Sequence, residues 1–211
     1  MALAVHGHRY LVGADGDGYV DTLQPEEFSL RGLFPDVDAP LVLEVGSGGG
    51  HQAVAYAAAN PGRNVLAIEV WREGLASTIW HAVEAEVTNL RIVQADAAAL
   101  LGHALPDACA AEVWTFFPDP WPKLRHRKRR LVNEGFASAV ARVLQSGGVW
   151  RLATDWEDYG RQMRDVVTAS PDFRTDADGW SPRWEGRVLT RFEKKGTAAG
   201  RAIRDVTAYR I

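Results

Sequence analysis

From Leu41 onward short apolar runs alternate with helix-like segments, and this alternation constrains the fold more than any other feature of the chain. Leu41–Val45, 65–70, Leu90–Gln94, 112–117 and 149–154 are rich in Val, Ile, Leu and aromatics and read as buried strands. Between them 51–60, 72–86, a short piece over 97–103 and 131–145 read as helices, and 156–168 follows the last strand as another. Strand–helix alternation implies right-handed crossovers and a parallel sheet covered on both faces. After Ser170 the pattern changes: 171–182 is loop-like, 186–193 alternates like a strand, and 207–210 is a further strand candidate. Two late strands without a long helix of their own predict an antiparallel hairpin. The expected class is therefore α/β, a doubly wound, mostly parallel sheet with an antiparallel C-terminal edge, over residues 37–211. Residues 1–36 show no sustained period; with a Gly/Asp-rich stretch at 13–18 and Pro25, they read as an irregular N-terminal segment.

A chain of 211 residues that is 46% apolar can bury one sizeable core. No apolar run approaches the ~18 residues that would span a membrane, and the N-terminal sequence predicts no signal peptide. A lone Cys109 can form neither an internal disulfide nor a multi-cysteine metal site, so it reads as a core residue in a reducing, cytoplasmic setting, and no metal is expected.

In open α/β sheets ligands bind outside the carboxyl ends of the strands, near the first strand-to-helix turn. Here that turn is Glu44-Val-Gly46-Ser-Gly48-Gly49-Gly50. A dinucleotide fingerprint starting at Gly46 would need its third glycine at position 51, which is His51. Glu44, directly before the glycines, also disfavours a pyrophosphate. S-adenosylmethionine (SAM) carries cationic ammonium and sulfonium groups and no phosphate, so it meets no such objection. Glu69 then ends the second strand, where an acid can accept hydrogen bonds from both ribose hydroxyls, and Asp96 follows the third, placed to meet the adenine. Each acid alone also reads as a helix N-cap; three at successive strand ends point to a SAM site with Gly46 and Gly48 in its loop.

The fourth strand ends in Phe116-Phe-Pro-Asp119-Pro-Trp121-Pro, a stiff, non-helical loop in which prolines remove donors and enforce extended geometry. Trp121 is placed either to stack on a base or to wedge the loop onto the core. Directly after it Lys123, Arg125, Arg127, Lys128, Arg129 and Arg130 put six cations in eight residues of a chain whose net charge is −3, so the remainder carries −9. A charge run is usually a solvated face. Next to a presumed reaction centre it is instead the electrostatic footprint of a polyanion.

At these residues the sequence resembles the bacterial tRNA (guanine-N7-)-methyltransferases. The matches are Glu44-Val-Gly-Ser-Gly48, Ala67-Ile-Glu69, FPDPWPKLRHRKRR from Phe117 to Arg130, Thr154-Asp-Trp-Glu-Asp-Tyr159 with Met163, and Thr190-Arg-Phe-Glu-Lys-Lys-Gly196. They occur in order, and the run from Phe117 is the most specific. The resemblance implies a Rossmann-like SAM-dependent methyltransferase acting on a guanine in the tRNA variable loop. It implies Glu44, Glu69, Asp96 and Asp119 as SAM-site residues, with Asp119 also catalytic. It further implies Lys123, Asp155, Thr190, Arg191, Phe192 and Glu193 as contacts for the tRNA, with Arg125, Arg127, Lys128, Arg129 and Arg130 touching its backbone. Two departures stand out: the family commonly carries Lys where this chain has Gly49, and a basic, Gln-containing segment that 1–36 does not match.

Some of these residues have plainer readings. Thr154-x-x-Glu157 has the form of a capping box, with Asp155 in the first turn of the next helix. Strand alternation over 186–193 would bury Thr190 and Phe192 and expose Arg191 and Glu193. Other activities also fit parts of the sequence: methylation of an exocyclic base amine, or RNA binding without catalysis on the same scaffold.

Overall fold

The computed structural model describes residues 2–13 and 24–211, so the Gly/Asp-rich stretch lies, beyond Gly13, outside the described residues. The chain divides into two compact units, Met1–Pro106 and Asp107–Ile211. Among the described residues no helix is long and apolar enough to cross a membrane.

In the first unit β1 (Leu41–Val45), β2 (Asn64–Glu69) and β3 (Leu90–Gln94) run parallel in the order β3-β2-β1. Every residue of β1 and β2 is buried, which is why these strands read as continuous apolar runs instead of alternating ones. Helices α2 (His51–Ala59) and α3 (Arg72–Glu84) bring Ala53, Ala57, Leu75, Ile79 and Ala82 into the core with Val65, Ala67 and Ile92. The piece expected over 97–103 is a single turn, α4 (Ala97–Ala99), running into a π-turn at Leu100–Ala104.

The N-terminal expectation is corrected: Ala2–Tyr10 is a helix, α1, and Pro25–Glu27 a 3-10 turn. With Gly7 and two histidines α1 has little propensity of its own, and docking stabilises it. Tyr10 is buried and its hydroxyl donates to the carbonyls of Ala82 (3.3 Å) and Val87 (3.0 Å). Leu11 joins the same core and bridges to Ile92. Burying side chains of this size contributes about 1.5–3 kcal/mol each, enough to override a weak local preference.

In the second unit β4 (Ala110–Phe116) and β5 (Leu144–Thr154) are parallel, with Phe116 opposite Ala153. α5 (Glu134–Val143) connects them and starts later than expected, because the Asn133 side chain caps it by accepting the Phe136 N–H at 3.0 Å. α6 (Glu157–Ala169) follows β5. The antiparallel edge is present; of its two expected strands the one over 207–210 forms and the one over 186–193 does not. β7 (Arg204–Arg210) runs antiparallel to β5, and β6 (Phe173–Thr175), in a stretch read as loop, runs antiparallel to β7. Residues 186–193 form no strand. Thr190 instead caps helix α7 (Arg191–Ala198), its Oγ1 accepting the Glu193 N–H at 3.2 Å. The apparent alternation was a capping signature. Its burial runs opposite to a strand's, with Phe192 61% exposed and Glu193 3%. The class is nonetheless the expected one: α/β, mostly parallel, with an antiparallel C-terminal edge.

Candidate active site

At the carboxyl ends of the first unit's strands, polar groups collect that the protein does not itself satisfy. Glu44 is 5% exposed, and its Oε2, the Ser47 hydroxyl and the Gln94 side-chain oxygen are buried without a hydrogen-bond partner. Unpaired buried polar atoms cost about 1–3 kcal/mol each, so three of them at the ends of β1 and β3 signal a ligand that would complete them. Burial pushes the Glu44 carboxyl up to about 8, and the neighbouring Glu69 adds to this against a backbone bond from Ala53. A cationic ligand relieves both the orphaned oxygen and the raised protonation.

The glycine loop is built for close approach. Gly46, Gly48 and Gly50 all have positive φ. A Cβ on Gly50 would lie 2.3 Å from Thr78, and one on Gly74 of α3 would lie 2.4 Å from the Gly48 carbonyl. Gly74 is thus a site residue that the sequence reading missed; it lets α3 close against the loop. Glu69 is largely committed to the backbone: Oε2 accepts from Gly48 N–H (2.6 Å), and Oε1 from Val70 (2.7 Å) and Trp71 (2.9 Å). Of a carboxylate's roughly four lone-pair positions this leaves about one for a ligand. Glu69 is therefore first the organiser of the loop, with about one acceptor position left over. Asp96 is exposed and caps α4, Oδ1 accepting the Ala99 N–H at 2.9 Å. This donor set fits SAM.

Glu44 supplies a test that needs no turnover. A carboxyl whose folded pKa is raised from 4.5 to about 8 contributes stability that is present below the lower value and lost as pH rises through the upper one. Binding a cation beside it reverses the shift, so SAM is expected to displace a proton at neutral pH. Calorimetry in two buffers of different ionisation enthalpy should show release of up to about one proton. Glu44→Gln should abolish it.

In the second unit the strand β4 ends at Phe116, and the chain turns through two strained residues. Phe117 has φ +52° and Trp121 φ +42°, a region that costs bulky residues about 1–3 kcal/mol each. Phe117 is pinned at its backbone, its N–H donating to the Ala153 carbonyl at 2.7 Å. Trp121 packs under Arg129, whose guanidinium lies 5.0 Å from the ring centroid, and against His126. Between them Asp119 is exposed while Pro118 and Pro120 are half-buried. Asp119 makes no hydrogen bond or ion pair with any described residue.

The basic run is a 3-10 helix, Leu124–Arg129, and its cations are not equivalent. Lys123, Arg125, Lys128 and Arg129 are exposed without a carboxylate partner among the described residues. Arg127 pairs with Asp158 at 2.6 Å. Arg130, expected at the RNA backbone, is turned inward with its side chain 1% exposed. It donates to the Pro120 carbonyl (2.8 Å), to Gln162 (2.9 Å) and to both oxygens of Asp158 (3.0 and 2.9 Å), and lies over Tyr159.

Asp155 is not in the first turn of α6, which Trp156 precedes as N-cap, so the capping-box reading of Thr154 to Glu157 is overturned. Its carboxylate is held by Arg201 (Nε 2.8 Å, Nη2 2.7 Å), and α7 approaches it at Gly196, where a Cβ would lie 2.7 Å from that of Asp155. A groove of about 660 Å³ brings Asp155, Arg201 and Arg204 together with Pro122, Arg127 and Asp158. Thr190 and Glu193 are committed to the protein, while Arg191 and Phe192 are exposed.

Residues 38–206 match the family model described as "Putative methyltransferase". The tRNA (guanine-N(7)-)-methyltransferase of Nocardioides sp. is 50% identical over 184 residues, 87% of this chain and 72% of that one. Its counterpart from Cutibacterium acnes is 43% identical over 206 residues, 96% of this chain and 74% of that one. Among solved structures, an rRNA methylase from Streptococcus thermophilus superimposes with a TM-score of 0.55 at 13% identity, covering 82% of this chain and 88% of that one. TrmN from Thermus thermophilus gives 0.58 at 17% identity, covering 82% and 44%. The structural likenesses carry the fold and the sequence relatives carry the family: this chain belongs to the tRNA (guanine-N(7)-)-methyltransferases.

Proposed function

We propose that this protein transfers the methyl group of S-adenosylmethionine to N7 of a guanine in the variable loop of tRNA, forming 7-methylguanosine. The observation that carries the reading is Asp119, an exposed carboxylate between two prolines on a strained loop that leads straight into four exposed cations with no carboxylate partner among the described residues. The family supports the same substrate, and a tRNA acceptor implies a cytoplasmic setting.

When bound, SAM would supply an electrophilic methyl group on a sulfonium whose leaving group is a neutral thioether. Guanine N7 attacks with a free lone pair and carries no proton, so the new N–CH₃ bond forms and the ring gains positive charge without any proton leaving. Alignment matters more than a base. A fixed carboxylate beside the ring opposes that growing charge and stabilises the transition state more than the ground state. Asp119 takes this role. Asp155, held by Arg201 in the groove with Arg204, is a further contact for the tRNA. Glu44, Glu69 and the glycine loop hold the cofactor, Asp96 its adenine end. Lys123, Arg125, Lys128 and Arg129 hold the tRNA backbone.

Incubation with methyl-labelled SAM and tRNA lacking 7-methylguanosine, followed by nucleoside mass spectrometry, tests the reading. Label in 7-methylguanosine is expected; label in an exocyclic amine, or none, overturns it. Replacing Arg127, Lys128 and Arg129 with Ala should weaken tRNA binding and flatten its salt dependence by roughly two in log–log slope, at ~0.7–0.9 per lost phosphate contact. SAM affinity should be unchanged in that variant; an unaltered slope would make the run a bystander.

A further inference from the structure

We propose that Arg187 is a positioning residue for methyl transfer, setting the direction of the Asp119 loop through the rings of Phe116 and Phe117. This rests on the role assigned to Asp119 above. The Arg187 side chain is fully buried. Its edges are occupied by two carboxylates: Nε and Nη2 reach Glu193 at 3.3 Å each, Nη2 reaches Asp205 at 3.2 Å, and Nη1 also donates to Asp205. Arg183 holds Glu193 from outside, with contacts of 2.7 and 3.1 Å. With its edges fixed, the guanidinium can present only its faces to other groups, and its Cζ lies 5.5 Å from the Phe116 ring centroid and 5.6 Å from that of Phe117.

Phe116 closes β4, and Phe117 is the residue at positive φ from which Pro118 and Asp119 depart. A left-handed phenylalanine persists only where its surroundings over-determine it. The Ala153 carbonyl fixes its backbone, and Arg187 is the charged group against its ring. A buried ion network adds little stability over an apolar replacement, so its use lies in fixed geometry. Lysine cannot substitute, having neither the planar fork nor a face to stack. The Thr190–Glu193 segment then serves the reaction from inside the protein: Thr190 caps α7, and α7 carries the carboxylate that orients Arg187.

The test uses the full chain with saturating SAM and tRNA. Arg187→Lys keeps the charge, and Phe117→Leu leaves the ion network intact while removing the ring. Each is expected to lower the single-turnover rate roughly 10- to 100-fold, with KM for tRNA and Kd for SAM within about threefold of the parent. The double variant should be about as slow as the slower single one, because both cut the same link. A full rate in Phe117→Leu, losses that multiply in the double variant, or SAM and tRNA affinities that fall with the rate would overturn the proposal. Should Arg187→Lys fail to fold, Phe117→Leu decides alone. Asp119→Asn is measured in parallel. If it is slow while both other variants are fast, only the positioning role fails; if it runs at the full rate, the reading of Asp119 fails and takes the positioning role with it.

Discussion

Asp119→Asn is expected to lower methyl transfer by roughly two orders of magnitude or more, a loss of about 3 kcal/mol of transition-state stabilisation. The loop should keep its course, because nothing in the protein leans on this carboxylate: it bonds to no described residue, while Phe117, Trp121 and the prolines define the turn. Stability and SAM affinity should therefore change little. Asp119→Ala should be about as slow as Asp119→Asn, because charge is the property in use and shape is not. Since N7 carries no proton, the rate should also show no appreciable solvent deuterium isotope effect. Single-turnover kinetics with saturating SAM and tRNA measure all of this. A large isotope effect would make Asp119 a base, and a fully active Asp119→Ala would move the chemistry elsewhere.

How far the sequence could be read depended on where the decisive interaction lay. The strands β1 to β5 were legible because parallel strands buried on both faces need near-continuous apolar runs. The acids at the strand ends were legible because the fold brings those ends to one side of the sheet. Two segments of the form Thr-x-x-Glu fold opposite to what their local pattern predicts. The one at Thr154 has the form of a capping box, yet Thr154 accepts from Trp156 at 3.2 Å and Glu157 turns to Arg161. The one at Thr190 has the alternation of a strand and is a cap. Both have the local signal, and long-range partners decide between them: Arg201 draws Asp155 away, while Arg183 and Arg187 fix Glu193 where α7 must begin.

The same limit hid Arg187 and Gly74. No motif marks either one. Arg187 matters because Glu193 and Asp205 converge on it from α7 and β7, and Gly74 because the Gly48 carbonyl passes close above it. α1 escaped for a related reason, being held by Tyr10 bonding to carbonyls more than seventy residues away. Pattern reports what a segment prefers, whereas these features record what the rest of the molecule does to it.

Arg130 is the clearest case, since charge alone cannot say which cation of a run turns inward. Arg130→Met is expected to destabilise the protein by about 2–3 kcal/mol. The side chain is buried, and its removal strips the Pro120 carbonyl and Gln162 of their donor. The loss falls short of that for a wholly buried ion pair, because Asp158 stays a third exposed and keeps Arg127. Freed from Arg130, the Pro120 end of the loop should loosen, so turnover should fall along with stability. The salt dependence of tRNA binding should not change, because this guanidinium releases no counterion from RNA. Urea unfolding and a salt titration of tRNA affinity give the two readings. A variant of normal stability whose salt slope drops by about one phosphate contact would put Arg130 on the RNA and not inside the protein.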